Sequence, residues 1–94
     1  MAKLTVRWTK QAVADLNAAY DFISADHPES AKQIIEVILG SIDQIKKYPE
    51  SGRIGRVKGT RELVIVATSF LVVYRKKEMI IEILSILHHS RKWP

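Results

Sequence analysis

Two stretches of the sequence hold residue types that could do chemistry. One is His88-His89-Ser90-Arg91-Lys92, directly after an apolar run, and the other is Gly52-Arg-Ile-Gly-Arg-Val-Lys-Gly59 with Arg61 just beyond it. A histidine beside arginines suits RNA cleavage. Attack by a ribose 2′-OH needs one group to take a proton, one to return it, and cations over the developing charge. Lys58, Arg61, His88 and His89 are the candidates for that work. In the second stretch Arg53, Arg56, Lys58 and Arg61 recur every two to three residues among glycines, which let a backbone approach a ligand closely. Such a run can clamp phosphates or the carboxylates of a partner. It can equally be a solvated basic loop.

Other chemistries find little footing. Adjacent residues on a strand point to opposite faces, so His88 and His89 make a poor metal pair, and no third ligand stands at a matching spacing. No metal and no cofactor is expected. The chain has no cysteine, which removes thiol nucleophiles, cysteine-based zinc sites and disulfides. The glycine-rich stretch lacks the Gly-Lys-Ser/Thr ending of a phosphate-binding loop, and there is no Gly-x-Gly-x-x-Gly for a dinucleotide. No serine has a nucleophile-elbow context. The acids fall mostly opposite the apolar stripes of the helices. Tyr74 and Trp93 are the aromatic candidates for stacking on a base, Tyr74 from within a strand, where it can instead pack or cap a neighbour.

The elements that must position these residues follow from periodicity. Lys3–Trp8 alternates, with Leu4, Val6 and Trp8 on one side, which predicts a short half-buried strand. Thr9 stands where a helix N-cap belongs. Ala12, Val13, Leu16, Ala19, Tyr20 and Ile23 then form one apolar stripe. Pro28 fits the first turn of a second helix, with Asp26 or His27 as its cap. Its stripe is Ala31, Ile34, Ile35, Ile38, Ile42 and Ile45, closed by Tyr48–Pro49. Ser51–Thr60 reads as a loop. Strands are predicted over Arg61–Ala67, Phe70–Arg75 and Met79–Leu87, the last two joined by a tight Lys76–Glu78 connection. Met79–Leu87 is apolar on nearly both faces and belongs in or near the middle of a covered sheet. The expectation is an α+β domain of order β-α-α-β-β-β, a helical hairpin packed on a largely antiparallel sheet.

The chain has 94 residues, room for one domain spanning 1–94. With 47% hydrophobic and 27% charged residues it has the composition of a folded protein and not of a disordered one. No apolar run approaches the roughly 20 residues that span a bilayer, and the N-terminus lacks a secretory h-region. A cytoplasmic protein without membrane contact is expected. The net charge is +5, and its distribution is uneven: residues 1–50 carry −1 and residues 51–94 carry +6. A field of that sign attracts polyanions or an acidic protein segment.

The chain resembles toxins of the RelE/ParE superfamily from bacterial type II toxin–antitoxin modules. The residues that carry the resemblance are Trp8-Thr9 with Ala12 and Asp15-Leu16, Gly52-Arg-Ile-Gly-Arg-Val-Lys-Gly-Thr-Arg-Glu-Leu63, Val72-Val-Tyr-Arg75 and Ile86-Leu-His-His-Ser-Arg-Lys-Trp-Pro94. The superfamily uses the same β-α-α-β-β-β order. The resemblance implies a protein that arrests growth when free and is silenced in a hetero-oligomer by a cognate antitoxin, whose acidic C-terminal segment wraps the toxin. RelE-like members cut mRNA in the ribosomal A site, which would give Lys58, Arg61, His88 and His89 the catalytic positions of a metal-independent endoribonuclease. ParE-like members inhibit DNA gyrase. The His-x-x-Arg-x-Trp-Pro ending is more similar to ParE-type sequences, and no tyrosine follows His89 of the kind several ribosome-dependent members use. On that comparison Arg53, Arg56, Arg75, Arg91 and Trp93 are expected to bind the target or the antitoxin. No helix-turn-helix signal marks the chain as an operator binder.

Overall fold

The computed structural model describes residues 4–88. Lys3, His89, Arg91 and Trp93 therefore lie outside the described residues. The element order is β1(Thr5–Trp8), α1(Lys10–Ser24), α2(Pro28–Lys47), β2(Arg53–Ile54), β3(Arg61–Val64), β4(Phe70–Lys77) and β5(Ile80–His88). The strands form one sheet in the order β1-β5-β4-β3-β2, with β1 parallel to β5 and every other pair antiparallel. The α+β expectation holds, with one strand more than the periodicity showed.

The helical hairpin covers one face of the sheet. Ile38, Ile42 and Ile45 of α2 and Ala12 of α1 meet Val72, Tyr74, Ile81, Ile83 and Ile86 in a single buried cluster. Leu16, Ile34 and Ile35 pack at its margin. Val13 and Tyr20, expected in the buried stripe of α1, are instead 44% and 43% exposed. Ala12 and Ala19 are the buried residues of this helix. Leu16 and Ile23 of the same stripe are half-buried, so the buried face of α1 runs along Ala12, Leu16, Ala19 and Ile23 at helical spacing, with Val13 and Tyr20 on its flank.

Thr9 joins β1 to α1 as anticipated. Its Oγ1 accepts from the Ala12 N–H at 3.1 Å and donates to the Ile83 carbonyl at 2.8 Å, while its own N–H donates to the same carbonyl. One residue thus caps the helix and closes the β1–β5 ladder. Pro28 opens α2, but His27 at the cap position makes no side-chain hydrogen bond.

Several boundaries differ from expectation for local reasons. The loop predicted over Ser51–Thr60 contains β2, because Arg53 pairs with Glu62 and Ile54 with Arg61. Two residues are too few to show any period. Strand β3 stops at Val64, short of Ala67, since Ala67 takes a left-handed φ of +66° in a turn closed by Thr68 on the Ile65 carbonyl. The β4–β5 connection is Glu78-Met79, between the aligned Lys77 and Ile80, with Glu78 at φ +57°. Strand β5 lies between β1 and the central β4, near the middle as its composition suggested.

Where β1 ends, β5 would leave an open edge, and α1 covers it. The β4–β5 register slips by one residue, so that Val73 faces Ser85 while Tyr74 faces Ile83. At that bulge Asp15 Oδ2 accepts from Ser85 Oγ at 2.5 Å and from the Ile86 N–H at 3.0 Å. A charged acceptor on the helix thereby satisfies donors that the broken ladder frees.

Candidate functional site

The basic stretch between α2 and β3 is an ordered turn system pinned to the sheet. Tyr74, open from its sequence to base stacking or to packing and capping within its strand, takes the second role and is fully buried. Its hydroxyl donates to the Pro49 carbonyl at 2.7 Å and accepts from the Gly52 N–H at 2.9 Å. A Cβ on Gly52 would lie 2.8 Å from that ring and hydroxyl, and one on Gly55 would collide with Thr60. These two glycines therefore let the chain approach itself, not a ligand. Gly59 turns the chain at φ +83°.

Two cations of this region, Arg61 and Arg53, have partners of their own. Arg61 Nη1 donates to the Gly52 carbonyl at 2.8 Å and to the Glu50 carbonyl at 3.4 Å. Arg53 pairs with Glu62 at 3.1 Å across β2–β3, and the other oxygen of Glu62 accepts from the Arg56 N–H at 3.3 Å. The side chains of Arg56 and Lys58 are exposed.

A second charged row crosses the helix-free face. Arg75 Nε donates to Glu82 Oε1 at 2.6 Å, and Arg7 approaches Glu82 Oε2 at 3.5 Å from the other side. The hydrogen bond from Arg75 holds the Glu82 carboxyl below its ordinary pKa. Partial burial opposes that shift, and the charges of Arg75, Arg7 and Lys77 reinforce it. The row ties β4, β5 and β1 together.

Of the four residues proposed for proton transfer and charge stabilisation, His89 lies outside the described residues, and the other three are not gathered at one point. By alternation from buried Val72 and Tyr74, Arg61 and His88 belong to the helix-facing side of the sheet, whereas Arg53 and Arg75 belong to the other. Arg61 is aligned with Tyr74 on β4, while His88 is aligned with Phe70, four residues earlier on that strand. Two strand spacings and four residues put their backbones about 16 Å apart. The His88 ring stands edge-on to Phe70, with centroids 5.9 Å apart. Lys58 occupies a turn between β2 and β3. Among the described residues no three His, Cys, Asp or Glu side chains cluster as a metal site. No helix among them is long and apolar enough to cross a membrane.

Sequence reasoning overlooked the residues that this turn system displays. Tyr48 is 66% exposed and Ile54 is 79% exposed, and Lys47, Tyr48 and Lys76 line one open groove with Pro49, Glu50 and Ser51. Tyr48 had served only to mark the end of α2. The adjacent Tyr-Pro before a glycine-rich segment was the available sign of a displayed aromatic.

Comparison with known proteins gives a consistent result. Residues 6–93 match the family described as ParE toxin of type II toxin-antitoxin system, parDE. Putative toxin Y4kP of Sinorhizobium fredii is 35% identical over 94 residues, covering 100% of this chain and 97% of that protein. Toxin RelE2 of Caulobacter vibrioides is 33% identical over 86 residues, covering 92% and 96%. Among solved structures, the chromosomal ParDE TA system from P. aeruginosa superposes with a TM-score of 0.85 at 29% identity, over 92% of this chain and 96% of that one. The RelBE2 complex of Mycobacterium tuberculosis shares the fold, with a TM-score of 0.61 at 21% identity over 93% and 99%. With 88 of its 94 residues inside the family match and relatives named as toxins, the chain belongs to the ParE toxin family of type II toxin–antitoxin systems.

Proposed function

We propose that this toxin arrests growth by ParE-like inhibition of DNA gyrase, acting by binding and not by cutting RNA. In this reading it is one 94-residue domain of the cytoplasm. A cognate antitoxin holds it inactive in a hetero-oligomer, its acidic C-terminal segment drawn to the +6 half of the chain. The observation that carries the reading is the dispersal of Arg61 and His88. Cleavage at one phosphate needs the proton-transfer group and the charge-stabilising cation both within hydrogen-bond reach of it, and the backbones of His88 and Arg61 stand about 16 Å apart with Arg61 bonded to the carbonyls of Gly52 and Glu50. Arg53 and Arg75 are likewise engaged by Glu62 and Glu82. The match to the ParDE system of P. aeruginosa adds to the support.

A second reading, ribosome-dependent mRNA cleavage, is favoured by the 33% identical relative named Toxin RelE2. Pulse labelling of DNA and protein synthesis in the first minutes after induction separates the two. Under the gyrase reading DNA synthesis falls first while translation continues. Translation collapsing first would overturn it.

A further inference from the structure

Connecting loops are ordinarily more mobile than the elements they join, and binding residues often sit on loops that a rigid scaffold positions. Here Tyr74 is fully buried, and its hydroxyl bonds both Pro49 and Gly52, while Arg61 bonds the carbonyls of Glu50 and Gly52. Two side chains of the sheet thus hold four backbone groups between α2 and β2. On that fixed backbone stand two large apolar side chains turned to solvent, Tyr48 at 66% exposure and Ile54 at 79%. Lys47 and Lys76 border the groove beside Tyr48, against one acid, Glu50.

We propose that the Tyr48–Ile54 loop, with Lys47 and Lys76 at its rim, is the surface by which the free toxin grips a folded, acidic protein target. An exposed tyrosine and an aliphatic residue on a rigid backbone are the anchors that a preformed pocket on a folded partner accepts at little ordering cost. The isoleucine argues for protein over nucleic acid, because an aliphatic side chain neither stacks on a base nor neutralises a phosphate. The two lysines select an acidic rim and hasten encounter more than they add affinity. This assignment rests on the proposed mode of action by binding, and it identifies where that binding occurs.

The test uses two full-length variants, Tyr48→Ala with Ile54→Ser, and Lys47→Glu with Lys76→Glu. All four positions are exposed, so the fold is retained, which a thermal melt verifies. Growth arrest on induction and capture by tagged cognate antitoxin are measured side by side. The expected result is that each variant needs about tenfold more induction to arrest growth, while antitoxin capture stays within about threefold of wild type. Undiminished toxicity, or antitoxin capture lost in step with toxicity, would overturn the assignment. So would toxicity lost together with affinity for a single-stranded DNA probe, since the surface would then bind nucleic acid. Failure of wild-type toxin to inhibit gyrase would sink the gyrase reading alone, because the growth readout does not depend on which protein is the target.

Discussion

Arg61 and His88, two of the candidates for phosphodiester chemistry, lie on the two strands that flank β4, offset by four residues along it and about 16 Å apart by strand register. Arg61 is turned toward the loop after α2, and His88 lies against Phe70. Among the described residues of the C-terminal half, Arg53 and Arg75 are held in local ion pairs and Arg61 by backbone carbonyls. These three do not converge on one reacting atom.

If that dispersal is right, the histidines do not carry toxicity. His88→Ala and His89→Ala are each expected to arrest growth within about threefold of wild type, whereas Arg91→Ala and Trp93→Ala weaken it. A titration of inducer against growth rate checks all four. A complete loss of toxicity in His89→Ala with the fold intact would count against binding as the mode of action.

The Tyr74 hydroxyl bridges two backbone groups inside the protein. Tyr74→Phe leaves the Pro49 carbonyl and the Gly52 N–H without that partner, and a loss of about 1–3 kcal/mol is expected in urea unfolding. Gly52→Ala should cost a similar amount for a different reason. Its Cβ would press on the ring and hydroxyl of Tyr74, and overpacking of that kind costs about 1–3 kcal/mol.

Asp15 is expected to behave as a structural carboxylate. Asp15→Ala strands Ser85 Oγ and the Ile86 N–H at the β5 bulge, with an expected loss of about 1–3 kcal/mol. Hydrogen exchange at Ile86 should rise disproportionately, because opening there no longer breaks a charge-assisted bond. Unchanged protection at Ile86 would show that another group satisfies this edge.

The Arg7–Glu82–Arg75 row sets an acid dependence. Glu82 has its pKa lowered in the folded protein by the Arg75 hydrogen bond, so the unfolded chain binds its proton more readily. The stabilisation is therefore complete above the ordinary carboxylate range and drains away as pH falls through it toward the lower folded value. Glu82→Gln should melt below wild type near neutral pH, and the gap should narrow steadily as pH falls below the ordinary carboxylate range. A gap that stays constant from neutral to acid pH would mean that the charge of Glu82 is not what stabilises the sheet.

Much of this architecture was legible from periodicity. Of the α2 stripe, Ala31, Ile38, Ile42 and Ile45 are buried and Ile34 and Ile35 are half-buried against the core, and Thr9 caps α1 at the junction of an alternating and a helical segment. What escaped detection depended on register. The two residues of β2 carry no period, and the β5 bulge appears only when Val73 and Tyr74 are matched to Ser85 and Ile83. The site was less legible for the same reason. Sequence proximity of Arg61 to Lys58, and of His88 to His89, is plain, but whether the two pairs meet is decided by strand order. The spacing of Gly52 and Gly55 leaves open a ligand clamp or a solvated loop, and only the fold shows that the space they leave is filled by Tyr74 and Thr60.

The most direct test of binding to gyrase is a supercoiling reaction with purified gyrase and refolded full-length toxin. Dose-dependent loss of supercoiling that added antitoxin reverses, with mRNA left intact in a parallel translating extract, is the predicted result. Undisturbed supercoiling at toxin concentrations that halt growth would contradict it, most sharply if the mRNA in the extract were cut.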